Sequence, residues 1–413
     1  MSRPLLARDG GEPVRTRPFP TVNTPEGRRL GEEEAAAAAE VVRSGQLNST
    51  VGPQTRLWEQ EFADYYGIGH AVASSSGTSA LHLAVAAVNP GPGDEIITTG
   101  LSDAGTVLPI LSQNAVPVFA DVDVTTGILD VEAVRALITE RTRAIIVVHL
   151  FGIAAPVEEF RALADEHNLI LIEDCAQAYL TETPAGSLAG TVGHLGCFSL
   201  QQSKHITAGD GGVTISDDAT LARRARMFAD KAWPRDTDER THLFLGLNYR
   251  MTEMQAAIAR VQLGKLADVV ADRRKLAADL TDAVSALPGL SAAPAAGNAY
   301  WQFPVYIDQQ LAGADAFGYA EALRPEGIPG GPGYIQRPLY LTPLFTEMQT
   351  YGDSGFPLAQ RESGQDFAPG LCPVTEELIG GRLLVVPWNE NYTVDDVSDL
   401  AAGLTKVSEA LRP

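Results

Sequence analysis

The chain has 413 residues, 31 basic and 52 acidic, for a net charge of −21. That balance excludes a general binder of nucleic acid or of anionic membranes, because both need a basic face against phosphate. With 45% hydrophobic and 20% charged residues, the composition is that of a folded globule of two or three structural units rather than of a disordered acidic chain.

The amino terminus, MSRPLLARDGGEP, has no apolar run of leader length, and residues 1–30, rich in Pro, Arg and Gly, read as an extended arm. EEEAAAAAEVVRSG (32–45) is a run of helix formers closed by Gly45. A second helix is expected from about Gln54 to Tyr66. From residue 70 to 216 short apolar strands recur: 70–74, 95–99, 117–121, 143–150, 169–174, 196–200 and 212–216. Helical stretches such as 79–88, 130–138 and 157–167 lie between most of them. Continuous apolar strands separated by helices predict an α/β fold, a mostly parallel central sheet with helices on both faces. In such sheets ligands gather at the carboxyl ends of the strands. Helices over 219–231 and 251–287 follow; the second is long enough to bend, and it links a large domain (31–265) to a smaller carboxyl-terminal α+β unit (266–413). There, 299–307 and 380–387 read as strands, 330–333 and 336–345 as loop and 393–412 as an amphipathic closing helix. Three cysteines, Cys175, Cys197 and Cys372, provide neither a disulfide framework nor metal-ligand spacing, and no run of 18 apolar residues occurs. A reduced, cytoplasmic protein without metal or membrane partner is expected.

Three motifs carry chemistry. In GCFSLQQSKHITAGDGGVTIS, Lys204 lies between two apolar strands beside a Gly-rich turn. Burial lowers a lysine's pKa and frees the amine to attack carbonyls. In LILIEDCAQAY, Asp174 ends a strand; it is either an ordinary strand-end carboxylate or the partner of a pyridinium nitrogen. In AVASSSGTSALHLAV, a strand meets small residues and then a helix, an arrangement that binds anions at the first helical amides. The chain order is phosphate site, ring-nitrogen acid, amine.

With SGTSALHLA (76–84), PGDEII (92–97), PVFADVD (117–123), VVHLFG (147–152), IEDCAQA (172–178), FSLQQSKHITAGDGG (198–212) and NYRMTEMQAAIARVQL (248–263), the chain resembles the DegT/StrS family of pyridoxal 5'-phosphate-dependent sugar aminotransferases, of fold type I. The resemblance implies that Lys204 forms the Schiff base and shuttles the proton, and that Asp174 pairs with the pyridinium nitrogen. Gln177 would lie at the cofactor ring and its phenolic oxygen. Gly77, Thr78 and Ser79, with the Thr78 and Ser199 hydroxyls, would cradle the phosphate. Asn248 would reach that phosphate from a neighbouring subunit, making a homodimer with shared active sites. The family's stacking aromatic falls at Asp103, a carboxylate that cannot stack; it is counted with the cofactor-facing residues, and a contact to donor or substrate, or a helix cap, stays open. His149 is either a site residue or a satisfied strand-end histidine, and His205 should point away from the cavity. Tyr334, Gln336 and Arg337 fall where the family shapes its sugar pocket, and Arg250 and Arg337 are candidates for carboxylate or phosphate recognition.

The expected activity is transfer of an amino group from an amino acid, glutamate or glutamine, to a keto sugar (nucleotide-linked or not) or a keto-cyclitol, in amino-sugar or antibiotic biosynthesis. The alternatives are a sugar dehydratase-type enzyme, in which the family replaces the lysine by histidine, and a regulatory cofactor-binding protein with a decayed site.

Overall fold

The computed structural model describes residues 3–361 and 364–412. Seven strands form the central sheet: β1 (His70–Ser74), β2 (Glu95–Thr99), β3 (Val116–Ala120), β4 (Thr142–Val148), β5 (Ile170–Asp174), β6 (Leu195–Ser199) and β7 (Gly212–Ser216). Their spatial order is β1-β7-β6-β5-β4-β2-β3. Strands β2 to β6 pair in parallel, whereas β7 runs antiparallel to both β6 and β1. Every residue of β2, β3, β6 and β7 is buried. That is why these strands read as unbroken apolar runs rather than as alternations.

Helices α1 (Glu32–Ser44), α2 (Gln54–Tyr66) and α3 (Gly77–Val88) precede or cover this sheet. Gly45 closes α1 at φ 71°, the left-handed conformation expected of a glycine C-cap. The expected helix over 130–138 shrinks to Val131–Arg135. Residues Glu253–Ser285 form one continuous helix of 33 residues, about 50 Å long at 1.5 Å per residue. It passes from the large sheet to a smaller antiparallel one made of β8 (Leu290–Ala292), β9 (Gln302–Ile307), β10 (Gly331–Pro332) and β11 (Leu383–Pro387), in the spatial order β10-β11-β9-β8. The closing helix is Val394–Leu411.

The amino-terminal arm is tied down along its length. Leu6 packs into the core of the smaller sheet. The Ala7 and Val14 amides donate to the Glu326 carboxylate at 2.7 and 3.1 Å. Arg15 lies 2.7 and 2.8 Å from Asp396 and Asp399. Further on, Asn389 donates to the Gly27 carbonyl at 2.9 Å, and Gln202, two residues before Lys204, donates to the Val22 carbonyl at 2.7 Å.

Candidate active site

The carboxyl ends of β2, β5 and β6 and the amino end of α3 open onto one cavity of about 320 Å³. Ser76, Gly77, Thr78, Asp103, Asp174, Gln177, Ser199, Lys204, Trp301 and Tyr334 all line it. Residues as far apart in the chain as Ser76 and Tyr334 are thus brought to one place.

The amino end of α3 is shaped by its own cap. Ser76, extended at φ −164°, accepts the Ser79 amide at 3.0 Å. The Ser79 hydroxyl is engaged by Ser75 and Ser76. Ser79 therefore spends both groups within the turn, whereas the Gly77 and Thr78 amides meet no acceptor among the described residues and remain for an anion. Position 77 must be glycine because a Cβ there would come within 2.6 Å of Ser199 Cβ and 2.8 Å of its hydroxyl. Gly77→Ala should cost about 1–3 kcal/mol by overpacking β6 against α3, read as a lower urea midpoint at unchanged slope.

Asp174 is buried at the end of β5. Its carboxylate accepts from the Thr106 hydroxyl at 2.9 Å and the Ala176 amide at 3.1 Å. Burial pushes its pKa up; the two hydrogen bonds and Lys204 pull it down, and Asp103 raises it further. A second cationic group in the cavity would add to the counter-charge that Lys204 supplies.

Lys204 sits in the turn between β6 and β7. Loss of water around its amine lowers its pKa from 10.5 to about 8, against the raising effect of Asp174 and Asp103. Its Nζ lies 4.2 Å from the centroid of the Trp301 ring. His205 does turn the other way: it is buried, donates through Nε2 to the Ala299 carbonyl at 2.9 Å, and burial keeps it neutral. Gln177 is held at both ends. It accepts the Phe151 amide at 2.8 Å and donates to the Tyr334 hydroxyl at 2.9 Å.

Asp103 resolves into a cap that also faces the cavity. One carboxylate oxygen accepts the Gly105 amide at 2.8 Å and holds the turn Ala104–Thr106; the side chain is otherwise exposed at the cavity wall. His149 is the satisfied strand-end histidine. It is fully buried, contacts the Glu173 carboxylate through Nε2 at 2.9 Å and accepts the Ala155 amide at Nδ1. With Cys175 these two form the one group of metal-ligand type among the described residues. Glu173, however, also accepts the amides of Gly190, Val192 and Gly193, so its oxygens are engaged by protein donors.

Four expected residues lie outside the cavity of their own chain. Asn248 is exposed, outside the cavity of its own chain, on a segment that also presents Leu243, Leu245 and Leu247 to solvent. Arg250 is paired with Asp230 and lines a different cavity. Arg337 and Gln336 are exposed and do not line the site. Trp301 was not singled out in the sequence: it precedes a strand 97 positions beyond Lys204, and no spacing marks it.

A desolvated amine close to a buried carboxylate, beside a helix amino end with free amides, is an arrangement suited to carbonyl chemistry on an anionic ligand. Comparison with known proteins gives the particular family. The DegT/DnrJ/EryC1/StrS aminotransferase family matches residues 28–377, and the chain belongs to it; it is an aminotransferase of fold type I. It is 38% identical to the L-glutamine:2-deoxy-scyllo-inosose aminotransferase of Streptomyces kanamyceticus over 97% of this chain and 96% of that one. To the protein of the same description from Streptoalloteichus tenebrarius it is 36% identical, over 97% of each. Among solved structures, DesI in the presence of its TDP-sugar product superimposes with a TM-score of 0.80 or better, namely 0.82, at 28% identity, covering 98% of this chain and 96% of that one.

Proposed function

We propose that the chain binds pyridoxal 5'-phosphate and moves the amino group of glutamine to an uncharged keto-cyclitol of the 2-deoxy-scyllo-inosose type, in aminocyclitol antibiotic biosynthesis. The observation that carries this reading is the charge of the cavity wall. Among the described residues of this chain it holds three carboxylates, Asp103, Asp174 and Asp210, and a single cation, Lys204. A nucleotide-linked sugar brings a diphosphate and would need cations that this wall lacks, whereas a polyhydroxylated neutral ring is served by carboxylate, amide and hydroxyl groups. The identity to the two L-glutamine:2-deoxy-scyllo-inosose aminotransferases points the same way.

The residues present suit the cofactor. The free Gly77 and Thr78 amides and the Thr78 and Ser199 hydroxyls would take its phosphate, with Asn248 completing the site from the partner subunit of a homodimer. Asp174 would keep a proton on the pyridine nitrogen, and Gln177 would lie at the ring. When bound, the cofactor supplies a carbonyl that takes up the donor amine and a ring that withdraws negative charge from the donor's α carbon. Lys204 would hold the cofactor's carbonyl carbon at rest and, once displaced, carry the proton from the donor's α carbon. With lysine at position 204, the dehydratase alternative loses its distinguishing residue.

The test is product formation. Purified protein with cofactor and glutamine is given a keto-cyclitol or a nucleotide-linked keto sugar, and amination is read by mass spectrometry. Amination of the cyclitol with glutamine as donor is expected; amination of the nucleotide sugar alone would overturn the acceptor assignment.

A further inference from the structure

We propose that Trp301 is a positioning residue for Lys204: its indole fixes the turn that carries the lysine and offers the ring face on which the free, protonated amine rests. The proposal depends on Lys204 being the reactive amine.

The indole is held at three points. Its own backbone is pinned first. The Trp301 amide donates to the Phe151 carbonyl at 2.8 Å, and its carbonyl accepts from Arg273 at 3.1 Å. Arg273 is itself fully buried and paired with Glu390. The indole N–H then donates to the carbonyl of Ser203, the residue before the lysine, at 2.8 Å. The Tyr334 ring stands perpendicular to the indole with centroids 6.1 Å apart, and Tyr334 is in turn held by Gln177. A side chain fixed at its backbone, its N–H and one flank has no second rotamer to visit, so its face is a permanent feature of the site.

That face is turned to the amine, 4.2 Å from ring centroid to Nζ. A ring quadrupole attracts an ammonium and is indifferent to a neutral amine, so it opposes desolvation, the largest influence on Lys204. The other groups around the lysine are accounted for. Asp174 and Asp103 raise its pKa; Asp210 also lines the cavity; His205 is neutral and turned to Ala299; the Tyr334 phenol is held protonated by burial. Among these, Trp301 is the group in ring contact with the amine. An amine that is bound and released once per half-reaction needs a defined place while released. Trp301 gives it one within reach of the cavity and keeps its basicity from falling so far that it cannot carry a proton.

The test uses the full chain freed of cofactor, with pulsed amine labelling at a series of pH values and mass spectrometry of the Lys204 peptide against those of Lys265 and Lys275. The unmodified protein should show a Lys204 midpoint of about 8. A midpoint near that of ordinary lysines would overturn the reading of Lys204 as the activated amine, independently of Trp301. Protein grown with mono-, di- and trifluorotryptophan keeps ring shape while weakening the quadrupole, and its midpoint should fall stepwise. Trp301→Leu should lower the midpoint by about one unit, a tenfold change in proton affinity. Trp301→Phe retains a face but not the Ser203 bond; it should keep most of the midpoint and exchange amide hydrogens faster over residues 201–206. An unchanged midpoint across the fluorinated series, or equal shifts in the Leu and Phe variants, overturns the proposal.

Discussion

Lys204→Ala should reduce amino transfer by about 10⁴-fold or more, with the fold intact. The size follows from the lack of a substitute. The neighbouring His205 is buried, neutral and committed to the Ala299 carbonyl. None of the remaining titratable groups that line the cavity is a base of comparable strength: Asp103, Asp174 and Asp210 are carboxylates, and the Tyr334 phenol is pushed up by burial. Lys204→Arg should do no better, because a guanidinium stays protonated and cannot form the covalent link. Two measurements check this. Single-turnover transfer from glutamine gives the rate, and borohydride reduction followed by peptide mapping gives the attachment. The cofactor should be fixed to the Lys204 peptide in the unmodified protein and to no peptide in either variant.

Asp174→Asn should lower the transfer rate by about 10³-fold while leaving stability equal or higher. The two halves of that expectation have one cause. A buried carboxylate whose pKa is raised above its unfolded value costs stability at any pH above the unfolded value, and the cost is relieved as pH falls through the folded value. Asp174 is such a group, so a neutral amide of the same shape removes a penalty from the fold as it removes the counter-charge for the ring nitrogen. Its absence also reaches Lys204. Asp174 raises the lysine's pKa, so the variant's midpoint should move below about 8, toward lower pH. Urea unfolding, transfer rates and lysine labelling would report the three effects separately. A destabilised variant would mean that Asp174 serves the fold rather than the site.

Most strands were legible from their apolar runs. β1, β2 and β7 begin and end where those runs do: β2 and β7 are buried throughout, and in β1 His70 alone is exposed. The small sheet was harder. Its edge strand Gly331–Pro332 lies inside a Gly- and Pro-rich stretch whose local chemistry says loop, and it is recruited by pairing with β11. The long helix over Glu253–Ser285 was visible as a helix but not as an unbroken one. Its continuity comes from packing along its length, including the buried Arg273, and local propensity does not report that. At the site, Lys204, Asp174 and the Ser76–Ser79 turn announced themselves by residue type at strand ends. Tyr334 was marked only by its place in the family's sugar-pocket loop, and Trp301 not at all, since their role depends on where the smaller sheet docks. Asp103 shows the opposite case: its capping of Ala104–Thr106 is local chemistry, and that possibility was visible beside the family position.

The tethered arm joins two distant parts of the molecule. Its first stretch is held by Glu326, Asp396 and Asp399 of the smaller unit. Seven residues beyond Arg15, the Val22 carbonyl accepts from Gln202, two residues before Lys204. The arm is therefore a short strap of covalent chain that runs from the smaller unit to the turn that carries the lysine.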